Sequence, residues 1–279
     1  MIMDDKLLRL REWLGHLEAV VVAFSGGADS AFLAWVANDV LGPDRSLAVT
    51  AVSPSLAPSE LADCRTLAAE WGLGYKEAET HELSRDTYAA NGRDRCWHCK
   101  DELMRALLPL AGALGEVFGS GPAAVVLGVN VDDLSDYRPG QAAAEAAGAR
   151  FPLVETGFTK AEVREESRAL RLRTWDKPAA ACLASRLPYG TPVTLGTLGA
   201  VASAEEALKA LGFLALRVRH YGDMARVELP LAELGRAVEY REQLVQAVKS
   251  AGYRYVTLDL EGLRSGNLNG TAQKVGVAP

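Results

Sequence analysis

The chain has 279 residues, 49% hydrophobic and 24% charged, with 36 acidic against 30 basic side chains and a formal net charge of −6. This is enough chain to bury about two cores, and the composition excludes a disordered or collagen-like class. The acidic balance argues against a broad nucleic-acid surface, no apolar run approaches the ~20 residues that span a bilayer, and four cysteines are too few for a disulfide scaffold. With no signal-peptide pattern in the first ten residues, the expected location is the cytoplasm.

In chain order, residues 5–15 carry leucines at helical spacing. Residues 20–24 (VVVAF) form a short β-branched run suited to a buried parallel strand, and it breaks into Ser25-Gly26-Gly27-Ala28-Asp29-Ser30 ahead of a helix over 31–40. Adjacent glycines let the backbone turn sharply and aim its N–H groups, the helix start adds unpaired donors, and this suits a phosphate. Ser25 and Ser30 can donate to oxyanions, and Asp29 can hold magnesium or cap the helix. A Walker A loop is excluded, because no Gly-Lys-Ser/Thr ending follows.

A second strand is expected at 46–52, a helix at 58–71 with Cys64 on its apolar face as a core residue, and a third strand at 75–78. The stretch 94–100 (DRCWHCK) leads into a helix expected from 101 to about 110. A strand over 123–129 runs into Asn130-Val131-Asp132-Asp133, a helix follows at 141–147, and Thr159-Lys160-Ala161-Glu162 is a capping box opening a helix to about 172. Strands and helices alternating in this way predict an α/β doubly wound parallel sheet, with ligands at the strand C-terminal ends, where 25–30 and 130–133 both belong.

The Pro-rich stretch 178–192 breaks that rhythm and is expected to link two domains, 1–188 and 189–279. Beyond it, a helix at 195–211, strands at 214–219 and 224–229 around a turn at 221–223, a mostly helical 231–251 and a strand at 253–258 make a smaller α+β domain. Residues 262–279 read as a loose tail.

Cys96-Trp97-His98-Cys99 has metal or redox spacing, and Cys182 is the only other candidate to join it. Three readings stand side by side: an iron–sulfur cluster on Cys96, Cys99 and Cys182, a zinc site completed by His98, or Cys182 as a nucleophile with the pair as resolving disulfide. Arg186 lies close to Cys182 and favours its thiolate. Arg217 and Arg219 alternate along a strand and share a face, either to clamp an anion bidentately or to lie solvated opposite Glu228. Glu205 and Glu206 read, by themselves, as a solvated helix surface.

SGGADS after a strand resembles the PP-loop of the ATP pyrophosphatase superfamily, which cleaves ATP between the α and β phosphates. Together with GVNVDDLSDYRPG (128–140), KPAAACLASRLPYG (177–190) and LDLEGLRSGNLN (258–269), it resembles the LarE family over nearly the whole chain. That resemblance implies an ATP- and magnesium-dependent sulfur transferase. It adenylates the carboxylates of pyridinium-3,5-biscarboxylic acid mononucleotide and converts them to thiocarboxylates for the nickel-pincer nucleotide cofactor of lactate racemase. It implies that Cys182 bears the sulfur, either its own or, with Cys96 and Cys99, that of a [4Fe–4S] cluster; the three-cysteine pattern points to the cluster kind.

The resemblance further makes Ser185, Arg186, Arg217 and Arg219 substrate and phosphate contacts. Glu205 becomes the active-site acid, with Glu206 beside it as the other candidate, while Asp133 and Arg138 fall on the ATP side. It implies a homo-oligomer, a sulfide or other sulfur donor, and no nucleic-acid or membrane partner. The rival readings are a PP-loop tRNA thiolase, which needs a basic RNA surface, a synthetase such as NAD synthetase, which needs no cysteines, and a nucleotide or metal sensor on the same sheet.

Overall fold

Three consecutive valines organise the first half of the molecule. Val20 and Val22 point into one apolar cluster and Val21 into another, so the strand they form is buried on both faces. The computed structural model describes residues 3–135, 139–178 and 181–264, in two compact units, Met1–Ala180 and Ala181–Pro279.

In the first unit the order is α1 (Met3–Gly15), β1 (Val20–Ala23), α2 (Ala28–Leu41), β2 (Ser46–Val52), α3 (Pro58–Trp71), β3 (Gly74–Glu79), α4 (Asp86–Ala89), α5 (Arg95–Val117), β4 (Ala124–Leu127), α6 (Pro139–Ala146), α7 (Pro152–Glu155) and α8 (Lys160–Ala169). The strands form one parallel sheet in the order β3-β2-β1-β4, with Val20 paired to Ser46 on one side and Ala124 on the other. Leu10, Phe32, Phe158 and Val163 from α1, α2 and the α7–α8 region cover one face, and Leu103, Met104 and Leu107 of α5 cover the other. The chain proceeds from β1 outward to β3 and then returns to place β4 on the opposite side of β1. The gap between the ends of β1 and β4 is therefore the topological switch point, where such sheets bind ligands.

The expected PP-loop type of α/β sheet is thus the observed one. The helix expected from 101 to 110 is longer at both ends, running Arg95–Val117 through Pro109. Cysteine, tryptophan and histidine are middling helix formers, which hid its start. The buried Arg95 side chain, donating to Asn91 Oδ1 at 2.6 Å, anchors the first turn instead. At the other end Leu107, Ala111 and Gly115 continue a buried face at helical spacing, and that packing carries the helix past the proline. The capping box forms as expected, with Thr159 Oγ1 accepting from Glu162 N at 3.3 Å and Glu162 Oε2 accepting from Thr159 N at 2.8 Å. That helix stops at Ala169, short of 172, and Arg171 takes a left-handed φ of 58°.

The second unit holds α9 (Leu195–Ala210), β5 (Arg217–Tyr221), β6 (Met224–Glu228), α10 (Leu234–Glu239), α11 (Arg241–Ser250) and β7 (Tyr255–Leu258). β5 and β6 are antiparallel and β7 joins β6 in parallel, giving the expected ββαβ arrangement. The hairpin turn is tighter than expected, because Tyr221 pairs with Met224 and leaves only Gly222 and Asp223 to turn. Leu208, Phe213, Val218, Val227 and Val248 form the core of this unit. Most of the expected tail, 265–279, lies outside the described residues. Among the described residues, no helix is long and apolar enough to cross a membrane.

Candidate active site

The SGGADS stretch lies at the end of β1. Gly26 takes φ +67°, a conformation that side chains disfavour, and a Cβ there would meet Cys64 Sγ at 2.9 Å. Gly27 is the N-cap of α2 and brings no side chain to cap it, so the first N–H groups of a 14-residue helix remain for a ligand. Ser30 Oγ lies 3.0 Å from Ser25 Oγ, accepts from Ser25 N at 3.2 Å and donates to Gly27 O at 3.1 Å, holding the loop closed on itself. Cys64, expected in the core, is fully buried under this loop, and burial pushes its thiol pKa up. A Cβ at Gly128, just past β4, would lie 2.8 Å from Ser30 N and 2.9 Å from the Asp29 carbonyl carbon, so β4 ends directly against the first turn of α2.

The two strand ends expected to share a ligand do meet. The buried Asn130 donates from Nδ2 to Asp29 Oδ1 at 3.3 Å and from its backbone N to Asp133 Oδ2 at 3.2 Å. Lys160 Nζ forms an ion pair with Asp29, and Lys160 N donates to Asp132 Oδ2 at 2.7 Å. The start of α8 therefore brings a cation to a group of aspartates at the switch point. Arg138 lies outside the described residues.

Cys96 and Cys99 occupy the first turn of α5, three residues apart and so on neighbouring positions of one side. Cys96 is exposed and Cys99 half-buried, beside the exposed Trp97, and His98 Nε2 lies 3.2 Å from Asp94 Oδ2. Within neither unit do three His, Cys, Asp or Glu side chains among the described residues form a metal-holding group. The first unit thus offers two neighbouring thiols, and the third cysteine expected to join them, the exposed Cys182, belongs to the second unit.

In the second unit Cys182 opens a tight turn over Leu183–Arg186. Arg186 fixes that turn: its Nη1 donates to Ala181 O at 2.6 Å, to Cys182 O at 3.3 Å and to Ser185 Oγ at 3.1 Å. Its Nε and Nη2 donate to the two oxygens of Glu205 at 2.8 and 3.1 Å. Glu205 is only 4% exposed and also accepts from Val218 N at 3.0 Å, so the solvated-surface reading of this glutamate is wrong. Its neighbour Glu206 faces outward and pairs with Lys209. The helix period separates the two: Glu205 shares the inward face with Val201, Ala204 and Leu208.

Arg217 and Arg219 are both on β5 but differ in their partners. Arg219 is buried, donating to Glu228 Oε2 at 2.9 Å and to Ser185 O at 2.8 Å, so it too is not on a solvated face. Glu228 is itself fully buried and shares its other oxygen with Arg226 at 3.0 Å. Arg217 donates to Arg264 O at 3.1 Å and has no carboxylate partner among the described residues. Burial, and then the nearby Arg186 and Arg219, lower its pKa. Arg186, Arg219 and Arg226 pair with Glu205, Glu228 and Asp259, and among the described residues Arg217 is the arginine of this group without an ion pair.

A pyridinium-3,5-bisthiocarboxylic acid mononucleotide synthase of Lactiplantibacillus plantarum is 39% identical over 265 residues, which is 95% of this chain and 94% of that protein. The chain belongs to the LarE family. An uncharacterised protein of Synechocystis sp. is 45% identical over 96% of this chain and 98% of its own length, and one of Methanocaldococcus jannaschii is 24% identical over 95% and 100%. Residues 9–103 also match the NAD synthase family, which shares the PP-loop sheet with LarE proteins. Two residues of this LarE chain to which sequence reasoning gave no site role stand beside residues it did name: Lys160 at Asp29 in the first unit and Glu228 at Arg219 in the second. Asn130 was expected at the strand ends and touches Asp29 there. Lys160 was visible as part of the capping box, and Asn130 as the first residue past a strand. Their contact with Asp29 depends on β4 lying beside β1, which no local pattern reveals.

Proposed function

We propose that this protein is an ATP-dependent sulfur transferase acting on pyridinium-3,5-biscarboxylic acid mononucleotide. The full-length likeness to a synthase of the corresponding bisthiocarboxylic acid carries the reading, and an open anion loop at the switch point supports it. ATP would seat its phosphates on the N–H groups of Gly26, Gly27 and α2 with Ser25 and Ser30, with magnesium held by Asp29 and Asp133 and Lys160 adding positive charge. A substrate carboxylate oxygen attacks the α phosphorus and the bond to the β phosphate breaks, releasing pyrophosphate. Sulfur then attacks the acyl carbon, the carbon–oxygen bond breaks, and AMP leaves with the former carboxylate oxygen. The order is chemically required, since a free carboxylate is a poor electrophile and an acyl adenylate a good one.

In the second unit Arg217, which has no ion-pair partner among the described residues, would bind an anionic group of the substrate, and Ser185, whose Oγ accepts from Arg186, would be a second contact. Arg186 and Glu205, which satisfy each other, would position the Cys182 turn, and Arg219 would support Ser185 through its carbonyl. Cys96, Cys99 and Cys182 would hold a [4Fe–4S] cluster, which when bound supplies a sulfide on its open iron. The protein would act as a homo-oligomer in the cytoplasm on a small-molecule nucleotide substrate, with sulfide or another sulfur donor. Anaerobic purification with iron and labile-sulfide analysis tests the sulfur source. About four irons per chain, lost in a Cys96→Ala, Cys99→Ala double variant, support the cluster. Iron-free protein that still makes thiocarboxylate, with Cys182 left as dehydroalanine, shows a sacrificial cysteine instead.

A further inference from the structure

α3 presents Glu60, Asp63 and Glu70 to the strand of chain that follows α8. Arg173 donates to Asp63 Oδ1 at 2.7 Å and to Glu70 Oε2 at 2.8 Å, and Lys177 Nζ lies 2.7 Å from Asp63 Oδ2 and 2.8 Å from Glu60 Oε2. Asp63 accepts a directed hydrogen bond from Lys177, and Glu60 Oε2 forms a second ion pair with the same ammonium. From the other side Arg164 Nη2, on α8, donates to Lys177 O at 3.2 Å. Lys177 is thus held by side chain and backbone at once, and its side chain is 17% exposed.

This clamp is built against the anion loop. Lys177 Nζ lies 3.6 Å from where a Cβ of Gly26 would sit, next to Cys64 Sγ and Leu67 Cδ1 of the same α3 face. Burial disfavours the ammonium, but Asp63 and Glu60 outweigh it and raise its pKa; for Asp63, burial raises and Lys177 and Arg173 lower, the lowering winning. Lys177 and Asp63 therefore hold each other in the charged form. Exposed ion pairs contribute little, but five interlocked charges, partly buried and tied to a backbone carbonyl, fix a geometry.

We propose that Lys177 is a positioning residue that anchors the segment leading to Cys182 beside the ATP loop and so couples adenylation to sulfur delivery. The inference rests on the sulfur-transfer reading above. Cys182 follows Lys177 by five residues, so covalent connectivity alone limits its distance from the anchor to about 17 Å. An acyl adenylate that sulfur fails to reach is hydrolysed, returning carboxylate and AMP. Holding the origin of the segment shortens the search that sulfur must make before water wins.

The test is a single-turnover reaction with enzyme in excess, reading pyrophosphate released and thiocarboxylate formed. Wild type gives close to one thiocarboxylate per pyrophosphate. Lys177→Met and Asp63→Asn release pyrophosphate within about threefold of the wild-type rate, while the product ratio falls at least about fivefold and free AMP accumulates with regenerated carboxylate. Lys177→Arg, which keeps the charge, recovers most of the ratio. A ratio unchanged in Lys177→Met overturns the proposal, as does a rise in KM for ATP with the ratio intact, which makes Lys177 a phosphate ligand. A variant that fails to fold lowers both yields together, and Asp63→Asn with Lys177→Arg then decides. Wild type releasing no pyrophosphate with this substrate refutes the underlying function, a result distinct from any change in ratio.

Discussion

At the residue scale, Arg217 and Arg219 show how two identical side chains two positions apart come to do different work. Arg219 neutralises Glu228 in the core of the second unit, whereas among the described residues Arg217 has only a carbonyl to donate to. Removing one partner of a buried ion pair leaves the other stranded, at a cost of about 3 kcal/mol; Arg226 shares Glu228 and reduces the loss. Arg219→Met is therefore expected to lower the denaturation midpoint clearly. Arg217→Met is expected to change stability by less than about 1 kcal/mol, since it relieves repulsion from Arg186 and Arg219. Its nucleotide affinity is expected to drop about tenfold or more. Titration calorimetry beside urea denaturation separates the two, and equal destabilisation by both variants would contradict the contrast drawn between Arg217 and Arg219. Glu205→Ala is likewise expected to cost about 3 kcal/mol, because Arg186 is left buried without its carboxylate; a loss under 1 kcal/mol in urea denaturation counts against that pair's role.

At the scale of elements, the first turn of α2 is a wedge between β4 and α3. Gly128→Ala sets a methyl against the backbone of Asp29 and Ser30, which has no side chain to rotate away, so ATP affinity is expected to fall together with stability. Gly26→Ala meets Cys64 Sγ and also forces a positive φ, and Cys64→Ala in the same chain is expected to recover only part of the loss, as read by thermal melting. The tie between α1 and α8 predicts an acid response. Lys6, then the capping-box backbone, hold the Glu162 carboxyl at about 2, below its ordinary 4.5. A depressed folded pKa means the contribution is complete above about pH 4.5 and is lost as pH falls toward 2. Glu162→Gln is expected to flatten that part of a stability–pH curve, and an unchanged acid limb removes the tie from the account.

Much of the element pattern was readable locally. The β2 and α3 bounds follow from a β-branched run and from Pro58 and Gly72 at the ends of a helical pattern. The start of α5 was not, because the buried Arg95–Asn91 contact that anchors it is tertiary. The same reason hid Glu205: two adjacent glutamates look alike until α9 packs one inward against Arg186.

For the whole molecule, the proposed chemistry would be divided between a sheet carrying the loop for ATP and a smaller unit carrying Cys182 and Arg217, a cation without an ion pair among the described residues. The PP-loop was legible because six consecutive residues carry it, and the second-unit site was not, because its members are spread from Cys182 to Glu228. The most direct test of the account is transfer of oxygen-18 from the substrate carboxylate. With labelled pyridinium-3,5-biscarboxylic acid mononucleotide, MgATP and anaerobic protein, mass spectrometry is expected to find one label in the phosphate of AMP for each thiocarboxylate formed. Thiocarboxylate accompanied by unlabelled AMP, or by ADP and phosphate, would contradict carboxylate adenylation and with it the role given to the loop at Ser25–Ser30.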